Sequence, residues 1–327
     1  MLAGPEEIFR AVARLQQGGV VAFPTETVYG LGADALSETA VRRVFQLKGR
    51  PPENPLIVHV SSVEMARSVV LQWPDSASMA AAAFWPGPLT LVLPKASNIP
   101  DLVTAGGAAV GVRCPDHPTT LALLEALGRP LVGPSANPSG RVSPTRAEHV
   151  SAAFSDEDVL VLDGGPCRAG IESTVLSLAG EARVLRPGVI GAEELSRVLG
   201  CRVGTGAGLG SGPVQSPGLL GAHYAPIAPI RLAAGPQVPD IMRGATGRVV
   251  LISAWALEPP PPHILLRLSP DAEGYAAGLY AALREADSLE PGLILVERPR
   301  IEGADEKSRA VWEAVMDRLN RAATGTP

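Results

Sequence analysis

Aromatic residues are scarce in this chain, 4% of 327 residues, and charged residues reach only 19%. Cysteine is scarcer still: Cys114, Cys167 and Cys201 are odd in number and far apart, which excludes a disulfide framework or a zinc knuckle. No run of about 18 apolar residues occurs, and residues 1–20 lack a signal-peptide hydrophobic region. The chain therefore reads as a soluble cytoplasmic protein with no membrane association. Positive charge is not in excess either: 28 basic against 33 acidic residues give −5, which disfavours a nucleic-acid coat held by phosphate neutralisation. Nucleotide and hydrolase signatures are also missing. There is no G-x-x-x-x-G-K-[ST], no H-E-x-x-H and no G-x-S-x-G, and the stretch GTGAGLGSG fails G-x-G-x-x-G.

What is abundant is glycine (35) and proline (32), together with a 46% hydrophobic fraction. Disorder throughout is excluded by that apolar content, so compact domains with many loops are expected. Helical spacing of Ile8, Phe9, Val12 and Leu15 predicts a first helix, and Ser37–Leu47 predicts a second. Ser61 with Glu64 reads as a capping box opening a third helix towards Trp73. Strand-like runs include VVAFPT (20–25), PLIVHV (55–60), LTLVLP (89–94), VGVRCP (110–115), PLVGPS (130–135), VLVLDG (159–164) and STVLSL (173–178), with helices near 119–127 and 145–153. The mixture predicts an α/β sheet over residues 1–199. Residues 200–229, rich in Gly, Pro, Ser and Ala, read as a linker. Patterning resumes over 230–327 as a second, smaller α/β domain.

Several loops carry groups suited to a ligand. FPTETVYGLG (23–32) crowds hydroxyls, a carboxylate and a tyrosine at a strand end, though an ordinary hydroxyl-capped turn explains it equally well. KGRPPENP (48–55) holds Lys48, Arg50 and Asn54 on a stiff loop that suits a polyphosphate or is simply a solvated turn. His59 in LIVHV reads by default as a buried, satisfied histidine. Arg113 leaves an apolar strand, where its charge is costly unless a ligand anion or an internal acid meets it. In GPSANPSGRVSPT (133–145), Ser135, Asn137, Ser139 and Ser143 offer hydroxyls and an amide, and Ser143-Pro144 resembles a helix N-cap. Ser173, Thr174 and Arg186 stand beside strands.

Taken together, PTETVYGLG, FQLKGRPPENPLIVHV, WPGPLTLVL, VGVRCPDHP, GPSANPSG, GIESTV, LRPG and HYAP occur in an order that resembles threonylcarbamoyl-AMP synthases of the long, two-domain Sua5 type in the YrdC/Sua5 family. The resemblance covers residues 8 to about 229. It implies a YrdC-like twisted mixed sheet with flanking helices and an open concave site, plus a smaller Rossmann-like domain. It also implies a nucleotidyltransferase that converts L-threonine, bicarbonate and ATP to threonylcarbamoyl-AMP and pyrophosphate, with Mg2+ accompanying ATP. The adenylate would pass to partner proteins that modify adenosine 37 of tRNA, and tRNA itself would bind weakly at most. Carried over by position, Thr27, His59, Arg113, Ser173 and the backbone of Gly133 match threonine-binding positions. Arg50, Asn54, Ser135, Ser143, Arg186 and Tyr224 match ATP-binding positions, with Lys48 beside them, and Ala109 could contribute only its backbone. Lys48 and Arg50 would carry catalysis, and no metal-binding side chain is implied. The linker segment SPGLLGAHYAP (216–226) would close over the site, although Leu219 replaces the family's methionine. A carbamoyltransferase acting through a carbamoyl-adenylate, or a non-enzymatic RNA-binding module, are the competing readings.

Overall fold

The computed structural model describes residues 3–206 and 224–324. The first part carries strands β1 (Val20–Phe23), β2 (Gly30–Asp34), β3 (Ile57–His59), β4 (Leu89–Pro94), β5 (Ala109–Arg113), β6 (Leu131–Val132), β7 (Val159–Val161), β8 (Thr174–Ser177), β9 (Arg183–Arg186) and β10 (Gly204–Thr205). These form one mixed sheet in the order β10-β9-β8-β4-β5-β3-β6-β2-β1-β7. Helices α1 (Pro5–Gln16), α2 (Glu38–Lys48), α3 (Val63–Arg67), α4 (Asp75–Phe84), α5 (Pro118–Leu127), α6 (Ala147–Ser151) and α7 (Ala192–Leu199) flank it.

Local chemistry explains the starts and stops. Ser37 Oγ accepts from Ala40 N to open α2, and Gly49, in the left-handed region at φ 58°, closes it. The third helix differs from its expected course. Ser62 rather than Ser61 caps it, and it ends at Arg67, while α4, begun after Pro74, supplies the next helix. Ser143-Pro144 opens no helix: α6 starts at Ala147 behind Arg146, because the Ser143 hydroxyl is engaged elsewhere.

The main core packs Val41, Val44, Val58, Leu89, Leu91 and Val112 between the sheet and its helices. A second cluster joins Ala11 and Leu15 of α1 to Leu123 and Leu124 of α5 over Phe23. Strand β3 shows the consequence of period-two alternation: Val58 enters the core, whereas Ile57 and His59 turn together to the opposite face.

The second part is a parallel sheet of β11 (Ile230–Ala233), β12 (Val249–Ser253), β13 (Ile264–Arg267) and β14 (Leu293–Glu297), ordered β11-β14-β12-β13. Helix α8 (Val238–Gly244) covers one face. Helices α9 (Ala272–Ser288) and α10 (Glu306–Thr324) cover the other. Most of the linker sequence, including Leu219 and His223, lies outside the described residues. Among the described residues, no helix is long and apolar enough to cross a membrane.

Candidate active site

The PTETV segment connects β1 to β2 through a hydroxyl-centred turn. Thr25 Oγ1 donates to Val28 O at 2.6 Å, accepts from the main-chain N–H groups of Thr27 and Val28, and lies 2.8 Å from Thr27 Oγ1. Both readings of the motif therefore hold at once: it is a serine/threonine-type turn, and Thr25 and Thr27 line a cavity.

Across that cavity stand His59 and Arg113, paired in parallel register on β3 and β5. Arg113 is 4% exposed and its Nη2 lies 2.7 Å from Glu26 Oε2. The internal acid that a buried arginine demands is thus present, supplied by the PTETV turn, yet Arg113 still borders the cavity. His59 is buried, with Nδ1 lacking a hydrogen-bond partner among the described residues. Burial, reinforced by Arg113, pushes its imidazole down to about 3, so it is neutral at ordinary pH. The default of a satisfied histidine does not hold. Gly133 is required beside it, because a Cβ there would come within 2.6 Å of His59 Nδ1 and of the Phe23 ring.

The cationic side is built by Arg50, after α2, and Arg186, at the end of β9. Arg50 donates through Nε to Asn54 O and through Nη2 to Pro55 O, which folds its loop around the guanidinium. Burial and Arg186, against Tyr224, lower Arg50 to about 10, leaving it charged. Arg186 donates to the carbonyl and hydroxyl of Ser173, whose hydroxyl also lies 2.8 Å from Thr90 Oγ1. Arg50, Arg186, Ser173, Ser135 and Gly133 all border the same cavity as Thr27, His59 and Arg113.

Four sequence candidates stand elsewhere. Lys48 is 3% exposed, does not line the cavity, and donates its ammonium to the carbonyls of Ser135 and Asn137. Burial, then Arg50, push it well below the usual lysine range. In this arrangement it clamps the GPSANPSG loop. Asn54 is buried beside Arg50, with Oδ1 unpartnered among the described residues. Ala109 opens β5 and packs against Val92, Val175 and Leu185. Ser143 donates to Glu172 Oε1 at 2.7 Å and faces that carboxylate rather than the cavity.

Glu172, the acid of GIESTV, was not among the residues singled out by sequence. It lines the cavity and collects Ser143 Oγ, Tyr280 Oη at 2.9 Å and Arg318 Nε at 3.0 Å. Burial alone would raise its carboxyl, but Arg318, Arg186 and Ser143 hold it down at about 2. Tyr280 and Arg318 belong to α9 and α10, so the second domain reaches into the wall of the site. Tyr224 completes that wall, 1% exposed, stacked on Tyr280 at 5.6 Å with Arg318 5.8 Å from its ring. The next residue, Ala225, donates its N–H to Gly140 O and ties the end of the linker to the GPSANPSG loop. The acid in GIESTV was itself the available signal, but two of its partners, Tyr280 and Arg318, lie more than a hundred residues away.

Comparison with known proteins places the chain in a family. Residues 13–188 match a family described as "Telomere recombination", whose members include Sua5, YciO and YrdC, and residues 190–324 match one described as "Threonylcarbamoyl-AMP synthase, C-terminal domain". The chain is 40% identical to a threonylcarbamoyl-AMP synthase of Pyrococcus abyssi, over 96% of this chain and 93% of that one. It is 39% identical to that of Bacillus subtilis, over 98% and 93%. A crystal structure of P. abyssi Sua5 complexed with L-threonine superposes with a TM-score of 0.85 at 38% identity, covering 97% of this chain and 94% of that one. With both family matches abutting and near-complete relatives in two organisms, the chain belongs to the two-domain Sua5 family of threonylcarbamoyl-AMP synthases.

Proposed function

We propose that this protein is an L-threonylcarbamoyladenylate synthase that joins L-threonine, bicarbonate and ATP, releases pyrophosphate, and supplies the adenylate for N6-threonylcarbamoyladenosine at position 37 of tRNA. The observation that carries the reading is convergence: Thr27, Arg50, His59, Arg113, Ser173 and Arg186, drawn from six separated segments, border one cavity. One half offers a neutral imidazole, hydroxyls and a guanidinium, suited to an amino acid. The other offers two guanidiniums, suited to phosphates.

In this reading Arg113, held rigid by Glu26, faces the threonine carboxylate, while Thr27, Ser173 and the Gly133 backbone orient the rest of the amino acid. The threonine amine adds to carbon dioxide derived from bicarbonate. A carbamate oxygen then attacks the α-phosphorus of ATP, and the bond to pyrophosphate breaks. No covalent nucleophile of the protein is needed, so catalysis is positioning plus stabilisation of phosphate charge by Arg50 and Arg186. Lys48 acts through the loop bearing Ser135, and Asn54 and Ser143 act by shaping Arg50 and Glu172. The acid bordering the cavity, Glu172, is already engaged by Arg318, Tyr280 and Ser143. Magnesium accordingly enters as part of the MgATP substrate, held by phosphates.

Tyr224 is the lid. The cavity beneath it measures about 50 Å3, far below the ~300–1,000 Å3 of ligand sites, so a nucleotide must displace it. A cytoplasmic setting and transfer of the adenylate to separate tRNA-modifying proteins follow from the same reading. The test is pyrophosphate release from ATP with threonine, bicarbonate, both or neither, with the adenylate identified by mass. Release that requires both substrates is the expected result. Release independent of threonine, supported by carbamoyl phosphate, would overturn it in favour of carbamoyl transfer.

A further inference from the structure

The second domain has a cavity of its own, of about 560 Å3, that shares no lining residue with the first site. Its place follows from topology. The crossover from β11 to β12 runs one way across the sheet under α8, and that from β13 to β14 runs back under α9 on the other face. Neighbouring strands β12 and β14 therefore send their following loops in opposite directions, since α10 after β14 packs towards β11. A crevice opens at the carboxyl ends of such strands, where open parallel sheets bind ligands.

Chemistry at this crevice is specific. Glu297 ends β14 and is 3% exposed, yet it borders the cavity. Its Oε2 accepts from Ser253 Oγ, at the end of β12, and that hydroxyl in turn accepts from the N–H groups of Trp255 and Ala256. The network turns residues 253–256 aside and leaves Oε1 with Arg300 Nη2 at 3.6 Å. Gly235, after β11, admits this oxygen, because a Cβ there would lie 2.7 Å from it. Arg300 stands 5.4 Å over the Trp255 ring, which itself stacks on Tyr275 at 6.2 Å, and Arg243, paired with Asp240, lies on the same cavity. A buried carboxylate at a strand end accepts from sugar hydroxyls, a flat indole receives a base, and two rim guanidiniums meet a phosphate.

From this we infer that the crevice between β12 and β14 is a second ligand site that binds a ribonucleoside monophosphate. Arg300 turns from the Trp255 ring and from Glu297 to hold the phosphate with Arg243, which frees the indole to stack the base and Glu297 Oε1 to take the ribose hydroxyls. Nothing in the first site's chemistry requires this binding, and the volume lies within the usual range for small-molecule sites.

Equilibrium dialysis of the full chain with labelled AMP tests it. The Arg50→Ala protein, impaired at the first site, should still bind one equivalent of AMP. Adding Arg300→Ala, at a largely exposed side chain whose loss leaves the fold intact, or Glu297→Gln should weaken that equivalent at least tenfold. In the otherwise unaltered chain, both substitutions should leave pyrophosphate release within twofold of normal. Unchanged AMP stoichiometry and affinity in the Arg300→Ala and Glu297→Gln proteins, or no AMP bound outside the first site at millimolar concentration, would overturn the inference.

Discussion

Two neighbouring cations, Lys48 and Arg50, point different ways although they sit in the same motif. Arg50 borders the cavity, so Arg50→Ala should lower the rate of pyrophosphate release by about 10²–10³, the usual cost of losing one charge-stabilising donor, and it should also lower the urea midpoint because the carbonyls of Asn54 and Pro55 lose their donor. Lys48 binds two carbonyls, and Lys48→Met strands them at a cost of about 1–3 kcal/mol, which urea denaturation will register. His59 gives a different test. Its folded pKa of about 3 lies below the ordinary 6.5, so its imidazole resonances should not titrate between pH 5 and 8, and no limb of the rate profile there should vanish in a His59→Gln protein. The signal in the sequence at this scale was charge in the wrong place: Arg113 on an apolar strand demanded an anion, and one exists in Glu26. It could not distinguish a cation aimed at a cavity from one aimed at a loop. Lys48 and Arg50 differ only in where the C-terminal end of α2 points them.

Among elements, the longer ones were legible because hydrophobic periodicity and caps act locally: α2 ends at Gly49, and α9 begins after Asp271, whose carboxylate accepts from Gly274 N. Short elements were not. Helix α3 slipped by one capping serine, and Ser143 gave up a cap to serve Glu172, a partner no local rule reveals. The junction of α9 and α10 with the GIESTV loop is the element contact that matters most for the site. Glu172→Gln should destabilise the chain by less than the about 3–5 kcal/mol of a fully orphaned buried charge, because it removes one carboxylate from buried Arg318 while Asp317 stays paired with it. The pH dependence follows. A carboxyl held at about 2 in the folded chain, against 4.5 ordinarily, contributes stability that is complete above about pH 4.5 and is lost as pH falls towards 2. Urea midpoints of the unaltered protein should fall across that window, and those of Glu172→Gln should fall less. Gly170 sits at φ 70°, and a Cβ there would come within 2.4 Å of Ala276 O on α9. Gly170→Ala should therefore push the two domains apart and raise the KM for ATP, as steady-state kinetics will show.

For the whole molecule, composition and the break near residue 200 pointed to two α/β units, and the structure adds that the sheet of the second is parallel throughout. The way the units join was illegible, since it rests on pairs such as Glu172 with Arg318 that are 146 residues apart. That joint predicts one cooperative thermal transition for the full chain, with two resolved transitions in Glu172→Ala by calorimetry. It also bears on how domains of this kind can be exchanged. The GIESTV loop carries a carboxylate whose counter-charge is encoded in the last helix of the chain. A chimera that takes its first domain from this protein and its second from a relative should be inactive and insoluble unless the incoming helices bring an arginine and a tyrosine to the positions of Arg318 and Tyr280. In this chain the two domains thus work as a matched pair, with Glu172, Tyr280 and Arg318 as the key and lock between them.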